Sequence, residues 1–140
     1  VSDSLKLSLT RRYRFSASHR LHSPHFSEEE NHRLYGKCNS PYGHGHNYVV
    51  EVTITGPVDL ATGMIANLAD LDPFVGLEVV EAFDCKYLNE ELPEFRETVP
   101  TTENVVREIY RRLKKFPAAR LERVRVEETT KNSFEISTQS

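Results

Sequence analysis

The chain has no tryptophan, one methionine and only two cysteines, Cys38 and Cys85, among its 140 residues. Two thiols are too few for a disulfide scaffold, so the expectation is free thiols in a reducing compartment. No apolar run approaches the roughly 20 residues of a membrane-spanning helix. The opening stretch, VSDSLKLSLTRR, lacks an apolar core of signal-peptide length, which predicts a cytoplasmic protein. The net charge is -3, and a weakly acidic chain is a poor candidate for nonspecific nucleic-acid binding. Apolar residues are 38% of the chain, enough for one core, and residues 1–140 are expected to form one domain. There is no short-period repeat and no low-complexity tract.

What the chain does have is alternation. In RRYRFSASHRLH (11–22), Tyr13, Phe15, Ala17, His19 and Leu21 fall on one face, which predicts a half-buried strand with His19 on its apolar side. HGHNYVVEVTIT (44–55) alternates again, with His44, His46, Tyr48, Val50, Val52 and Ile54 together, and Gly56-Pro57 ends it. Between them, Ser27 and Glu30 fit a capping box for a short helix that stops at Gly36. Residues 70–83 read as a helix capped by Asp72 before Pro73, with Phe74, Leu77, Val80 and Phe83 as its stripe. Residues 84–100 read as loop. TTENVVREIYRRLKKF is a clearer helix: a threonine cap, a stripe of Val105, Ile109, Leu113 and Phe116, basic residues in its last turns, and Pro117 as a stop. LERVRVEE (121–128) is a strand with Val124, Val126 and Glu128 on one face, and SFEIS is a further candidate strand. The order predicts an α+β fold, an antiparallel sheet with helices on one face.

The stretch GKCNSPYGHGHNY (36–48) carries the chemistry. His44 and His46 lie two apart on a strand, so both rings project to one side, a spacing that suits two ligands of one metal ion. The bland alternative is a pair of half-exposed histidines at a strand start. His19 lies on the inward face of a separate strand, and antiparallel pairing would bring it beside the pair. Three histidines with an open fourth position match a catalytic zinc arrangement, and Cys38 as a fourth ligand would make a closed, structural site. Cys38 is otherwise a small buried filler, or a thiolate favoured by Lys37. Glu128 is either a solvated strand-end charge or a buried acceptor for paired N–H donors, such as a guanidine-like edge presents. Thr101 and Thr102 are explained by the helix cap. His22, His25 and His32 show no partner pattern and read as surface residues.

Taken together and in order, FSASHRLHS, GKCNSPYGHGHNY, TTENV and VEET resemble the 6-pyruvoyl-tetrahydropterin synthase family over nearly the whole chain. The resemblance implies the tunnelling fold: a four-stranded antiparallel sheet with two helices on one side, three subunits closing a barrel, and two trimers forming a homohexamer. It implies zinc held by His19, His44 and His46, and 7,8-dihydroneopterin triphosphate as substrate. It assigns proton transfer to Cys38, a relay to Asp84, the pterin anchor to Glu128, and the pocket lining to Thr101 and Thr102. Arg20 and Lys37 are candidate triphosphate contacts. Five residues separate Cys38 from His44. That gap resembles the tetrahydrobiopterin-pathway members, whereas the 6-carboxytetrahydropterin synthases usually have a shorter one.

One position departs from the family pattern. Where its members carry histidine after the relay aspartate, this chain reads FDCKYL, with Cys85 in the histidine's place. An imidazole titrates near neutrality, whereas a thiol of pKa about 8.5 is a poorer relay at pH 7. The expected activity is therefore a zinc-dependent lyase that eliminates triphosphate to give 6-pyruvoyl-tetrahydropterin. The alternatives on the same scaffold are a side-chain-cleaved or 6-carboxy product, or a pterin-binding relative with reduced turnover.

Overall fold

A computed structural model describes residues 5–138 of the chain; the first four residues of the opening stretch lie outside them. Strand β1 (Ser8–His19) is followed by α1 (Glu28–Tyr35), a 3-10 turn (Gly36–Asn39) and β2 (His44–Thr55). A helical segment comprises α2 (Leu68–Val75), a π-helical stretch (Gly76–Val80) and α3 (Glu81–Phe83). Then come β3 (Lys86–Tyr87), α4 (Leu88–Glu91), a second 3-10 turn (Pro93–Phe95), α5 (Thr102–Leu113), β4 (Arg120–Thr129) and β5 (Asn132–Ser137).

The sheet order is β3-β1-β2-β4-β5. The four long strands pair antiparallel, as the alternation predicts. The expectation of a four-stranded antiparallel sheet is corrected by the two-residue strand β3, which adds to the outer edge of β1 in parallel and makes the sheet five-stranded and mixed. One sheet face carries Phe15, Tyr48, Val50, Val52, Ile54, Val124 and Val126, all buried. The long helices supply the opposing wall through Val105, Ile109, Leu113, Leu71, Val75, Val79 and Phe83. The α5 stripe is the predicted one.

The first long helix differs from its prediction. Asn67 caps it, its side chain accepting from the Ala69 amide, and Asp72 lies inside. Asp72 instead receives two bonds from the Arg11 guanidinium and one from the Tyr13 hydroxyl, tying the helix to β1. The buried stripe is Leu71, Val75, Val79 and Phe83, while Leu77 is 67% exposed. That four-residue spacing lags an ideal 3.6-residue turn, and the π-helical stretch takes up the drift. The segment predicted as loop, 84–100, contains β3, α4 and a 3-10 turn, with Leu88, Leu92 and Phe95 buried. Its elements are too short to show a period.

Gly43 ends the turn that delivers β2. Its φ is +73°, and a Cβ there would stand 2.9 Å from the His19 carbonyl oxygen and 3.1 Å from Tyr87 Cε1. Gly63 has a similar φ, +76°, with nothing within 4 Å of its missing Cβ. Gly63→Ala is therefore expected to cost only the left-handed strain of about 1–2 kcal/mol. Gly43→Ala should cost clearly more in a urea melt, because it also pushes on the backbone of His19. Equal losses would show that the close approach carries no weight.

Candidate active site

Register places the three histidines. His19 is paired directly with His44, and Ala17 with His46, so the three rings share one face at the end of the β1–β2 ladder. Their ring centroids lie 4.8–5.2 Å apart. One ligating atom from each falls within 4.8 Å of the others. His19 is fully buried and His44 and His46 partly so.

The tautomer of His19 is fixed. Its Nδ1–H donates to the Pro100 carbonyl at 2.8 Å, which leaves the Nε2 lone pair facing His44 Nε2 at 3.3 Å. Tetrahedral zinc–nitrogen bonds of about 2.0–2.1 Å set ligand atoms about 3.3 Å apart, so this pair has the required separation. His46 Nε2 and His44 Nδ1 are buried without a hydrogen-bond partner among the described residues. The unmet His46 Nε2 fits a further ligand of the same cation beside the His19–His44 pair, and His44 Nδ1 then carries the ring proton. Burial pushes His19 down to about 4, and burial also lowers His44, so both rings are neutral at pH 7, the form that binds metal.

Glu128 stands over the cluster. Its Oε2 lies 3.8 Å from both His19 Nε2 and His46 Nε2 and accepts a 2.5 Å bond from the Thr102 hydroxyl. Oε1 accepts a longer bond from Asn132. Two features aim this side chain. It continues the inward phase of Val124 and Val126, and the β4–β5 register slips between Glu127 and Thr129, a bulge that leaves Glu128 unpaired. The solvated-charge reading is thereby corrected: the side chain is 17% exposed and faces the histidines. Thr101 caps α5, accepting from the Asn104 amide at 3.2 Å, so its structural role holds.

Cys38 is half-buried in the 3-10 turn between α1 and β2. Burial, and then the Glu128 carboxylate, push its thiol up from the ordinary value. This reverses the direction expected from Lys37, which is exposed. The same carboxylate contributes to raising Tyr48, a buried residue whose hydroxyl lies 3.5 Å from His19 Nδ1.

Asp84 and Cys85 sit elsewhere in the chain's own fold. Asp84 follows α3, and its Oδ1 accepts from the Ser16 amide at 2.8 Å. The Cys85 amide donates to the Ser16 carbonyl at 2.6 Å. Both are thus pinned to the outer edge of β1, three residues before His19. Cys85 is exposed and adopts φ 60°, the one left-handed non-glycine among the described residues. Of the histidines read as surface residues, His25 and His32 are exposed, but His22 is half-buried with Nδ1 3.2 Å from Asn39 Nδ2. Sequence reasoning missed Pro100 because its contribution is a carbonyl, which no side-chain pattern reveals.

Residues 8–139 match the family model described as 6-pyruvoyl tetrahydropterin synthase. The chain is 49% identical over 125 residues to the human 6-pyruvoyl tetrahydrobiopterin synthase, covering 89% of this chain and 86% of that one. It is 35% identical over 122 residues to an Archaeoglobus fulgidus protein named as a 6-carboxy-5,6,7,8-tetrahydropterin synthase, covering 87% and 88%. The solved 6-pyruvoyl tetrahydropterin synthase of Caenorhabditis elegans superposes with a TM-score of 0.90 at 39% identity, covering 96% of this chain and 97% of that one. The chain belongs to the 6-pyruvoyl tetrahydropterin synthase family, a family of lyases.

The His19 burial generates a pH dependence. Unfolded, the imidazole takes up its proton near its ordinary 6.5; folded, only near about 4. Between those values the unfolded state binds the extra proton, so stability falls as pH drops from 6.5 towards 4. In the metal-free protein the loss attributable to His19 should reach up to about 3 kcal/mol at the bottom of that window. Urea melts from pH 7 to 4 on the wild type and on His19→Asn measure it. Parallel curves would show that His19 is not the group responsible.

Proposed function

We propose that this chain converts 7,8-dihydroneopterin triphosphate to 6-pyruvoyl-tetrahydropterin with elimination of triphosphate, using zinc on His19, His44 and His46. The observation that carries this reading is the pairing of His19 with His44 under Glu128, in a chain 49% identical to a protein named for that product. The lower identity to the 6-carboxy relative, 35%, supports the pyruvoyl product over the carboxy one.

Glu128, with the Thr102 hydroxyl on its Oε2, presents an acceptor to the N–H donors of a pterin edge and orients the ring. Cys38 takes and returns protons on the substrate side chain as the oxidation level moves between side chain and ring. Zinc held by the histidines would act as a Lewis acid on the side-chain hydroxyls, and its charge would oppose the upward push on the Cys38 thiol. Asp84 and Cys85 form the relay. Since both are pinned to the outer edge of β1, they serve a site completed between subunits, in line with a barrel of three chains and a homohexamer of two such barrels. The protein is read as a single cytoplasmic domain; no helix among the described residues is long and apolar enough to cross a membrane.

Incubation of the zinc-loaded protein with dihydroneopterin triphosphate, followed by mass identification, is expected to yield the pyruvoyl product. A carboxy or side-chain-cleaved product would overturn the assignment. Replacing any of the three histidines by Ala should abolish zinc retention and turnover together, whereas Cys38→Ala should keep zinc and lose turnover. Loss of zinc from Cys38→Ala would make the cysteine a ligand instead of a proton carrier.

Cys85→His should raise the rate near pH 7, since general acid–base catalysis contributes on the order of 10²–10⁴-fold and a thiol is the poorer relay there. Histidine is also among the non-glycine residues enriched at positive φ, so the variant should fold no less stably at this φ of 60°. The check is a set of pH–rate profiles for wild type, Cys85→His and Cys85→Ala. Three coincident profiles would place residue 85 outside the relay.

A further inference from the structure

Glu128 receives two donors from the chain itself, and they come from different elements. Thr102, the first residue of α5, donates its hydroxyl to Oε2 at 2.5 Å. Asn132, the first residue of β5, donates Nδ2 to Oε1 at 3.3 Å. The Thr102 contact belongs to the helix entry that also holds His19. The Asn132 contact serves no packing, since Asn132 is exposed.

The β4–β5 hairpin nevertheless aims that amide. Thr129 pairs with Asn132, which leaves Thr130 and Lys131 as the turn. Neither has a positive φ, so the turn is not of the primed type that two-residue hairpins favour. The Thr129 hydroxyl braces it: its oxygen accepts from the Lys131 amide at 3.1 Å, and the hydroxyl donates to Asn132 Oδ1. With Oδ1 engaged by a donor, and a carboxylate able only to accept, the Asn132 NH2 has to face Glu128.

The lone pairs can be counted. An ionised carboxylate has about four acceptor sites. Thr102 takes one on Oε2 and Asn132 takes one on Oε1, so each oxygen keeps one. That remainder is the complement of an edge with two adjacent N–H donors. Both anchors are needed to aim it. The last torsion of a glutamate is broad and roughly two-fold, so one donor on one oxygen leaves the carboxylate plane free to turn. A second donor on the other oxygen stops the rotation.

We infer that Asn132 is a positioning residue of the proposed reaction: it fixes the plane of the Glu128 carboxylate, and so makes the site select a ligand edge with two N–H donors over an edge with one. It acts through Glu128 and touches no reacting atom. The inference rests on the proposed pterin reading for its biological ligand, whereas the orientation of the carboxylate is a separate physical claim.

The test uses the zinc-loaded full-length chain as wild type, Asn132→Ala, Asn132→Asp and Asn132→Gln. Calorimetry compares neopterin with 2-deaminoneopterin, which lacks the exocyclic NH2 and keeps one N–H on that edge. Wild type should prefer neopterin by about 10- to 100-fold, the worth of one charge-assisted hydrogen bond. Asn132→Ala should narrow the preference roughly 3- to 10-fold by weakening neopterin, because a single N–H can follow a carboxylate that turns and two cannot. Asn132→Asp has the same shape, no donor and a like charge, and should lose at least as much. Asn132→Gln keeps an NH2 and should recover part of the preference. The KM for dihydroneopterin triphosphate should rise by the same factor as the neopterin Kd, with kcat little changed. Zinc content and the urea midpoint of each variant establish that it is folded. An identical preference in wild type and folded Asn132→Ala refutes the positioning role. Equal weakening of both compounds also overturns it, since that is the mark of a residue acting on the fold alone. Isocytosine against pyrimidin-4-one repeats the comparison without the second ring or the side chain. If neopterin fails to bind wild type but an Asn132-dependent preference for isocytosine is found, the pterin reading falls and the orientation of the carboxylate stands. If neither two-donor compound binds wild type, both fall.

Discussion

The bond from His19 Nδ1 to the Pro100 carbonyl joins the two halves of the molecule at the place where the chemistry is proposed. One partner ends the first strand of the sheet; the other opens the approach to α5. Pro100 can offer its carbonyl because its neighbours are already committed. The Val99 carbonyl accepts from the Thr101 amide and from Asn104 Nδ2, and the Thr101 hydroxyl accepts from the Asn104 amide. Asn104 thus holds the helix entry from both sides, and the proline has no N–H to satisfy. One residue further on, Thr102 grips Glu128 from the same helix terminus. A displacement of α5 would therefore move the His19 ring and the Glu128 carboxylate together. Their 3.8 Å separation is set by one rigid element, in place of two independent side-chain choices.

The sheet performs the complementary task. Its inward face runs from a dry core at Val50, Val52 and Ile54 to a polar end at His46 and His44. One continuous strand spans that run, and the polar end lies beyond the residues of β2 that pair with β4. Antiparallel pairing then sets His19 opposite His44, which is why two ligands separated widely in sequence need no loop to meet. The outer edge of β1 is used differently. Ser16 gives its amide to Asp84 and its carbonyl to Cys85, so the edge that would otherwise be open is closed by the segment carrying those two residues. The free side of β5 has no such cover among the described residues.

Much of this was legible because side chains announce it. The strands that place the histidines, and the phase of Glu128 with Val124 and Val126, follow from period two alone. The stripe of α5 follows from period 3.6. What stayed hidden depends on the backbone. Asp72 before Pro73 reads as a helix start, yet Asn67 caps the helix because Arg11 and Tyr13, distant in sequence, claim the aspartate. Leu77 should belong to the buried stripe at 3.6 residues per turn, and a π-helical stretch places Val79 there instead. Lys37 adjoins Cys38 in sequence, but in space the thiol senses its own burial and Glu128. In each case the deciding neighbour is absent from the local sequence window.

The charge pattern of the assembled site specifies what it must receive. Three imidazoles bring one ring nitrogen each to within 4.8 Å of one another, and a carboxylate stands 3.8 Å from two of them. Those are acceptors facing acceptors. The donors that the chain itself supplies to Glu128 are the Thr102 hydroxyl and the Asn132 amide. Such an arrangement is stable only if what enters brings positive charge or N–H groups. A dication answers the imidazoles, and a guanidine-like ring edge answers the carboxylate.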